Sequence, residues 1–390
     1  MDKKVFFEVF GHSVLGPAIL GYVTWIERRL KEFGIKKVFF LAREGQFIKR
    51  AFDIISTDEY DERYLYVSRR SLTIPAVATI ESINDFLALH PMYDHLSAKQ
   101  QIEELDINPD KFKKYTWYSE AAMETCLGNL SRDVKDSIIE CMFRELQDQA
   151  KQELAELCMY LRQNEVNGKL AIVDLGWNGS MQRAMLQVLE SDHVECDMVG
   201  FFLAQREKFI RNKNYINNKG FLFEYGKVSR TESLLLNSGT NLLEILFCAN
   251  HGTTKCYEEK DGMIMPVLCP YEYAEEYSKI KICQDAAIQY VKEMYERNQL
   301  PEPGMETVMF KEMYRVLKRP TNEEIKFLGD LTFSDMKGEK QYLASSTKIF
   351  PIQEFVKIFR TVGWKTAFLK RNLHIPNSFA LYILLRKIFH

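Results

Sequence analysis

The sequence predicts an α/β protein, a Rossmann-like, mostly parallel sheet with a large helical insertion and a helical C-terminal region. Three observations lead there. Lys37–Ala42 (KVFFLA), Tyr64–Val67 (YLYV), Leu170–Val173 (LAIV) and Asp197–Leu203 (DMVGFFL) are short apolar runs with the length and composition of buried strands. Segments of helical period separate them, and strands joined by helical crossovers pair in parallel. Each run also ends in a polar cluster, and ligands of parallel sheets sit outside the carboxyl ends of the strands.

Taken in order, His12–Gly34 opens with the turn-like HSVLGP and continues as an amphipathic helix, Ile19–Phe33, ended by Gly34. The first strand runs into Arg43-Glu44-Gly45-Gln46 and a helix over Phe47–Ile55, and the second ends in Ser68-Arg69-Arg70-Ser71. Ile80–Gly168 has helical period and few strand signals, which predicts a helical insertion whose longest helix covers about Arg132–Arg162. Asp174 closes the third strand, a loop takes Leu175–Ser180, and Met181–Leu189 has helical spacing. The fourth strand ends in Ala204-Gln205-Arg206-Glu207. Thr231–Ala249 reads as a helix carrying Glu244, followed by Asn250-His251-Gly252-Thr253-Thr254. Lys255–Tyr257 and Met263–Val267 flank a turn and read as a hairpin. From Tyr271 the chain is helical to about Asn298, and after the connector Leu300–Gly304 helices continue to the end. This divides the chain into an α/β core (1–79 and 169–270), a helical insertion (80–168) and a helical C-terminal region (271–390).

At 390 residues, with 46% apolar and 27% charged side chains, the composition is that of a globular protein. A net charge of −2 gives no overall attraction to nucleic acid, so any pull on anions is local. The eight cysteines include no CxxC pair and no zinc spacing, which points to reduced thiols of a cytoplasmic protein. Val5–Ile26 is apolar, but Glu8, His12 and Gly16-Pro17 interrupt it. The expectation is a cytoplasmic chain, peripheral on the inner face of the membrane at most.

Lys169–Leu189 is the most informative stretch. Strand, tight polar loop and helix offer backbone N–H groups and a helix N-terminus to a phosphate. An ordinary turn with Ser180 as N-cap fits the same residues. Asp174, at the strand end, can bind vicinal sugar hydroxyls or take a proton from a nucleophile. Arg43, Arg69 and Arg70 can stabilise a leaving diphosphate. Glu44 can orient them or help hold magnesium, or it is a surface ion-pair partner. His251 sits in a Gly-containing turn, where a histidine is as often structural. There is no GxxxxGK[ST], no GxGxxG after a strand, no GxSxG and no HExxH.

FFLAREGQF (39–47), YLYVSRRSL (64–72), VDLGWNGSMQ (173–182) and NLLEILFCANHGT (241–253) together resemble the glycan phosphoribosyltransferases of bacterial surface-polysaccharide assembly. Those domains are usually fused to a haloacid-dehalogenase-type phosphatase in two-domain ribofuranosyltransferases. The resemblance runs in blocks over about 10–350. It implies a donor, phosphoribosyl diphosphate (PRPP), whose 5-phosphoribosyl group goes to a hydroxyl of a lipid-linked or growing glycan of capsule or O-antigen. It implies magnesium carried with the diphosphate, and inversion to a β-ribofuranoside. It also implies that 174–180, with Asp174, Gly176, Trp177, Asn178, Gly179 and Ser180, acts like the ribose-5-phosphate loop, while Arg43, Glu44, Gly45, Ser68, Arg69 and Arg70 face the diphosphate; Gln182 is a further substrate-binding candidate. Glu244 and His251 are then acceptor-side candidates, with Glu244 the second choice of base. No DxD phosphatase motif is present, so a separate phosphatase in trans is expected to finish the product.

After Glu354 every charge is basic (Lys357, Arg360, Lys365, Lys370, Arg371, Arg386 and Lys387), interleaved with Ile, Phe, Trp and Leu. Such a segment, 355–390, suits an anionic membrane surface or a basic helical cap. Two rival functions remain at this stage. One is a glycosyltransferase using nucleotide-sugars; the other is a non-catalytic phosphosugar-binding module that docks a phosphatase.

Overall fold

A computed structural model describes residues 2–56, 60–90, 92–206, 209–210, 212–224, 226–227, 230–334, 340–349 and 351–389. Its centre is a sheet of β1 (Lys37–Leu41), β2 (Asp61–Leu65), β3 (Gly168–Trp177), β4 (Cys196–Gln205) and β5 (Asn217–Phe223). The spatial order is β2-β1-β3-β4-β5, and every neighbouring pair is parallel.

Strand side chains alternate between two cores, as a period of two requires. Val38 and Phe40 of β1 join Ala171, Val173 and Leu175 of β3 in one core. Phe39, Leu41, Leu170 and Ile172 face the other. The first core is closed by the helices Gly16–Phe33, Gly45–Ile55 and Ala274–Glu296 and by the C-terminal region. The second is closed by the insertion, including the long helix Arg132–Gln163, and by Ser180–Ser191. The protein is therefore a doubly wound α/β fold, and the insertion supplies one cover of the sheet. From the β1/β3 boundary the sheet grows outward in both directions, so the topological switch point lies between those two strands.

Differences from the sequence-based boundaries have physical reasons. β2 starts three residues early, on the polar Asp61-Glu62-Arg63, because an edge strand buries little there. β3 and β4 pair on both sides and run longer, so Asp174 lies inside β3 instead of closing it. β5 (NNKGFLF) escaped detection because its apolar run is only three residues long. The HSVLGP turn is instead a π-helical turn, Gly11–Leu15, leading into the helix Gly16–Phe33, with Pro17 in the first turn where a missing N–H costs nothing. The helix expected over 231–249 breaks into Arg230–Asn237 and Thr240–Phe247. Between them a Cβ on Gly239 would stand 2.5 Å from Leu317 Cδ2. The expected hairpin forms as β6 (Thr254–Lys260) and β7 (Met263–Leu268), and packs Tyr257 on Tyr160 with ring centroids 4.4 Å apart.

Lys3–Phe33 is long and apolar enough to cross a membrane, but 78% of its most apolar window is buried inside the fold. The Tyr22 hydroxyl from this segment reaches the carbonyls of Asp174 (2.7 Å) and Phe201 (2.9 Å), tying the helix to β3 and β4. All eight cysteines are free.

The C-terminal tail packs as a cap. Phe355, Phe359, Trp364, Phe368, Phe379 and Tyr382 are buried in the first core, while Leu384 stays exposed. Lys365 donates to the Phe359 and Arg360 carbonyls, Lys370 to Pro320, and Arg371 to Ala344. Lys357, Arg360 and Lys387 stay exposed.

Candidate functional site

β3 delivers Asp174 to the carboxyl edge of the sheet beside the switch point, and the chain then turns within two residues into the helix Ser180–Ser191. Gly176, Trp177 and Gly179 all take positive φ (93°, 80° and 72°). Glycine adopts that geometry freely, whereas Trp177 holds it at a cost of about 1–3 kcal/mol. Gly179, in left-handed conformation, occupies the N-cap, so Ser180 is the first helical residue and not the cap. A Cβ on Gly176 would lie 2.5 Å from Phe202 Cβ, which makes glycine the only residue that fits.

Asp174, Gly176, Asn178, Gly179, Ser180 and Arg69 line one cleft. Its closed void is only about 20 Å³, and the exposed Arg69 side chain stands at its border. The Asn178 Oδ1 atom is buried there without a hydrogen-bond partner. An unmet buried acceptor costs about 1–3 kcal/mol, which a ligand hydroxyl would recover.

The carboxyl groups form the second half of the site. Asp174 is only 9% exposed. Burial first, then the nearby Glu44 and Glu244, push its pKa up to about 8, although the Leu175 and Gly176 N–H groups hydrogen-bond to it and oppose the shift. Glu244 is raised too, by burial and by Glu44, while Arg206 and Arg69 favour its charged form. It accepts from Trp177 Nε1 at 3.0 Å. Arg206 lies over the face of that indole, 4.9 Å from the ring centroid, and donates to the Thr240 hydroxyl. Trp177 is thus held by Glu244 at its N–H and by Arg206 over its ring, and it does not itself line the cleft.

Several expected site residues have their polar groups engaged by other parts of the fold. Arg43 follows the cis Ala42–Arg43 peptide, its guanidinium pairs with Glu272 and lies over Tyr273, and it is not among the residues that line the cleft. Arg70 pairs with Glu153 at 2.5 Å and Asp106 at 3.1 Å and donates to the Lys255 carbonyl, so it binds the insertion to the β6–β7 hairpin. Ser68 is the N-cap of the helix Arg69–Ala76, in a capping box with Ser71, and its hydroxyl donates to Thr254 O. Gln182 borders the cleft, but its amide is committed to Asn217 O and Asn218 Nδ2. His251 uses both ring nitrogens, accepting from Tyr64 O–H at 2.7 Å and donating Nδ1–H to Gly252 O at 2.8 Å. Burial lowers its pKa, which keeps it neutral. Gly45 opens its helix with its Cβ position 2.7 Å from the Phe40 carbonyl carbon, so it serves close packing. Glu44 precedes it and bonds the Arg43 N–H at 3.3 Å.

What the sequence understated is Arg206. It appeared there only as one member of a strand-end cluster whose neighbour Glu207 lies outside the described residues. Its Nε is buried without a partner, and Arg386 of the tail is close enough to act on its charge. No local pattern announces a pairing between residues so far apart in the chain.

Among the described residues, no three His, Cys, Asp or Glu side chains come together as a metal-binding group. Magnesium normally binds one or two carboxylates plus substrate phosphates, and Asp174 with Glu44 is a donor set of that size. No protein-family model matches the chain, and a search of curated proteins finds no match.

Ionising Asp174 costs stability. Its folded-state pKa stands above the ordinary 3.8, so the stability tied to its neutral form is whole below that value and is lost as pH rises through about 8. Asp174→Asn removes the cost. The variant should melt several degrees above wild type at about pH 9, with the gap closing by about pH 4. Coincident melting curves at both pH values would mean that the carboxyl is not buried as described.

Proposed function

We propose that the protein transfers a 5-phosphoribosyl group from PRPP to a glycan hydroxyl in bacterial surface-polysaccharide assembly. One observation carries the reading: Asp174, the 176–180 turn and Arg69 share a single cleft at the switch point of a parallel sheet. The sequence blocks that resemble glycan phosphoribosyltransferases contribute the residues of that cleft.

In this mechanism the 5-phosphate accepts hydrogen bonds from backbone N–H groups at the N-terminus of Ser180–Ser191. Arg69, and behind it Arg206, balance the charge that grows on the departing diphosphate. The acceptor hydroxyl gives its proton to the Asp174 carboxylate, its oxygen bonds to C1, and the C1–O bond to diphosphate breaks with the electron pair leaving on diphosphate. Attack from the opposite face inverts the centre. A carboxyl with a pKa of about 8 is matched to this task near neutral pH. Glu44 would help hold a magnesium ion arriving with PRPP, and that ion would neutralise part of the diphosphate charge.

Incubating the protein with PRPP, magnesium and a panel of glycan acceptors should add one pentose phosphate to a member of the panel, detectable by mass spectrometry. Turnover with nucleotide-sugars instead, or PRPP binding that never leads to transfer, would favour the rival readings.

A further inference from the structure

A second cavity, about 240 Å³, lies against the cleft, and the two share Arg69. Its other walls come from the insertion, with His90, Met92, Tyr93, Glu104 and Leu105 among them. We propose that this cavity seats the neutral sugar ring of the glycan that receives the phosphoribosyl group, an assignment that rests on the proposed transferase reading.

The size fits one ring. Pockets for drug-sized ligands begin at about 300 Å³, and this cavity falls below that, in the range a single hexose needs. The chemistry fits as well. Met92, Leu105 and the Tyr93 ring offer apolar surface to the C–H face of a pyranose. Glu104 and His90 offer polar atoms to its hydroxyls. The one cation, Arg69, is matched by one carboxylate, so the lining has no excess charge to select a phosphate.

His90 is held as a neutral acceptor. Its Nε2 lies 3.1 Å from the Thr73 carbonyl, which fixes the proton on that nitrogen and leaves Nδ1 with its lone pair. Burial and the Arg69 charge keep the ring unprotonated, with a pKa near 4. Tyr93 is fixed from behind, because Gln101 accepts from its N–H at 2.8 Å and donates to its carbonyl at 3.1 Å. A ring seated here lies next to Arg69 and therefore next to the donor cleft, as a transfer between two substrates needs.

The test is saturation-transfer NMR with a panel of neutral methyl hexopyranosides, paired with calorimetry of PRPP, on wild type, Met92→Trp and Tyr93→Ala. Wild type should give signal from at least one glycoside. Met92→Trp, which fills the cavity, should abolish it with PRPP affinity unchanged. Tyr93→Ala, which removes a wall and guards against a misfolded tryptophan variant, should weaken glycoside binding about tenfold. Silence from every glycoside with wild type, or undiminished signal from both variants, overturns the proposal. Glycoside signal without PRPP binding keeps the sugar site and sinks the donor assignment alone.

Discussion

Asp174→Asn should lower phosphoribosyl turnover by about 10²–10⁴-fold, the usual worth of a positioned general base, and leave PRPP affinity within about threefold. The asparagine oxygen can still accept from the Leu175 and Gly176 N–H groups that hold the aspartate, so the turn keeps its shape. What disappears is the group proposed to take the proton. In the wild type, kcat/KM should climb with pH through about 8 as Asp174 loses its proton, and that limb should vanish in the variant. A variant that turns over at the wild-type rate would strip Asp174 of its role. Glu244, also raised and in the same field, would then be the base to examine.

Arg69→Ala and Arg70→Ala should fail in opposite ways although the residues are neighbours. Arg69 lines both cavities and is exposed, so its loss should weaken PRPP about 10–100-fold, from about 1.5–3 kcal/mol of charge-assisted bonding, with little change in melting temperature. Arg70 is spent on Glu153, Asp106 and the Lys255 carbonyl. Its removal leaves the part-buried Glu153 unpaired and should cost stability of about 1–3 kcal/mol, with PRPP affinity unaltered. Calorimetry and thermal melts on the pair read both outcomes. Matching behaviour of the two variants would contradict the geometry.

The sheet was legible because the physics behind it is local. KVFFL, LAIVDLGW and DMVGFFLAQ are buried on both faces, and such strands appear as unbroken apolar runs. β5, an edge strand with few apolar residues, carried no such mark. The cleft was legible in part. Asp174 and the 176–180 glycines are dictated by a tight turn that nothing else can make, so they could be found in the chain itself. Arginines are another matter, because three methylenes of flexible stem separate the guanidinium from the backbone. Arg43, Arg69, Arg70 and Arg206 all follow strands, yet Glu272 and Glu153 draw two of them away. Both partners lie far along the sequence, where no spacing rule reaches. The hydrogen bond of His251 was hidden for a related reason, since the Tyr64 hydroxyl that reaches it comes from β2.

The insertion shields Phe39, Leu41, Leu170 and Ile172 from water and also walls the second cavity. Trimming this protein to its sheet and first core is therefore self-defeating, because the excised piece is also the sheet's raincoat. Under the proposed transferase reading, retargeting to a different saccharide is best attempted through side chains such as Met92 and Tyr93 that line the second cavity, with the helices that roof the sheet left alone.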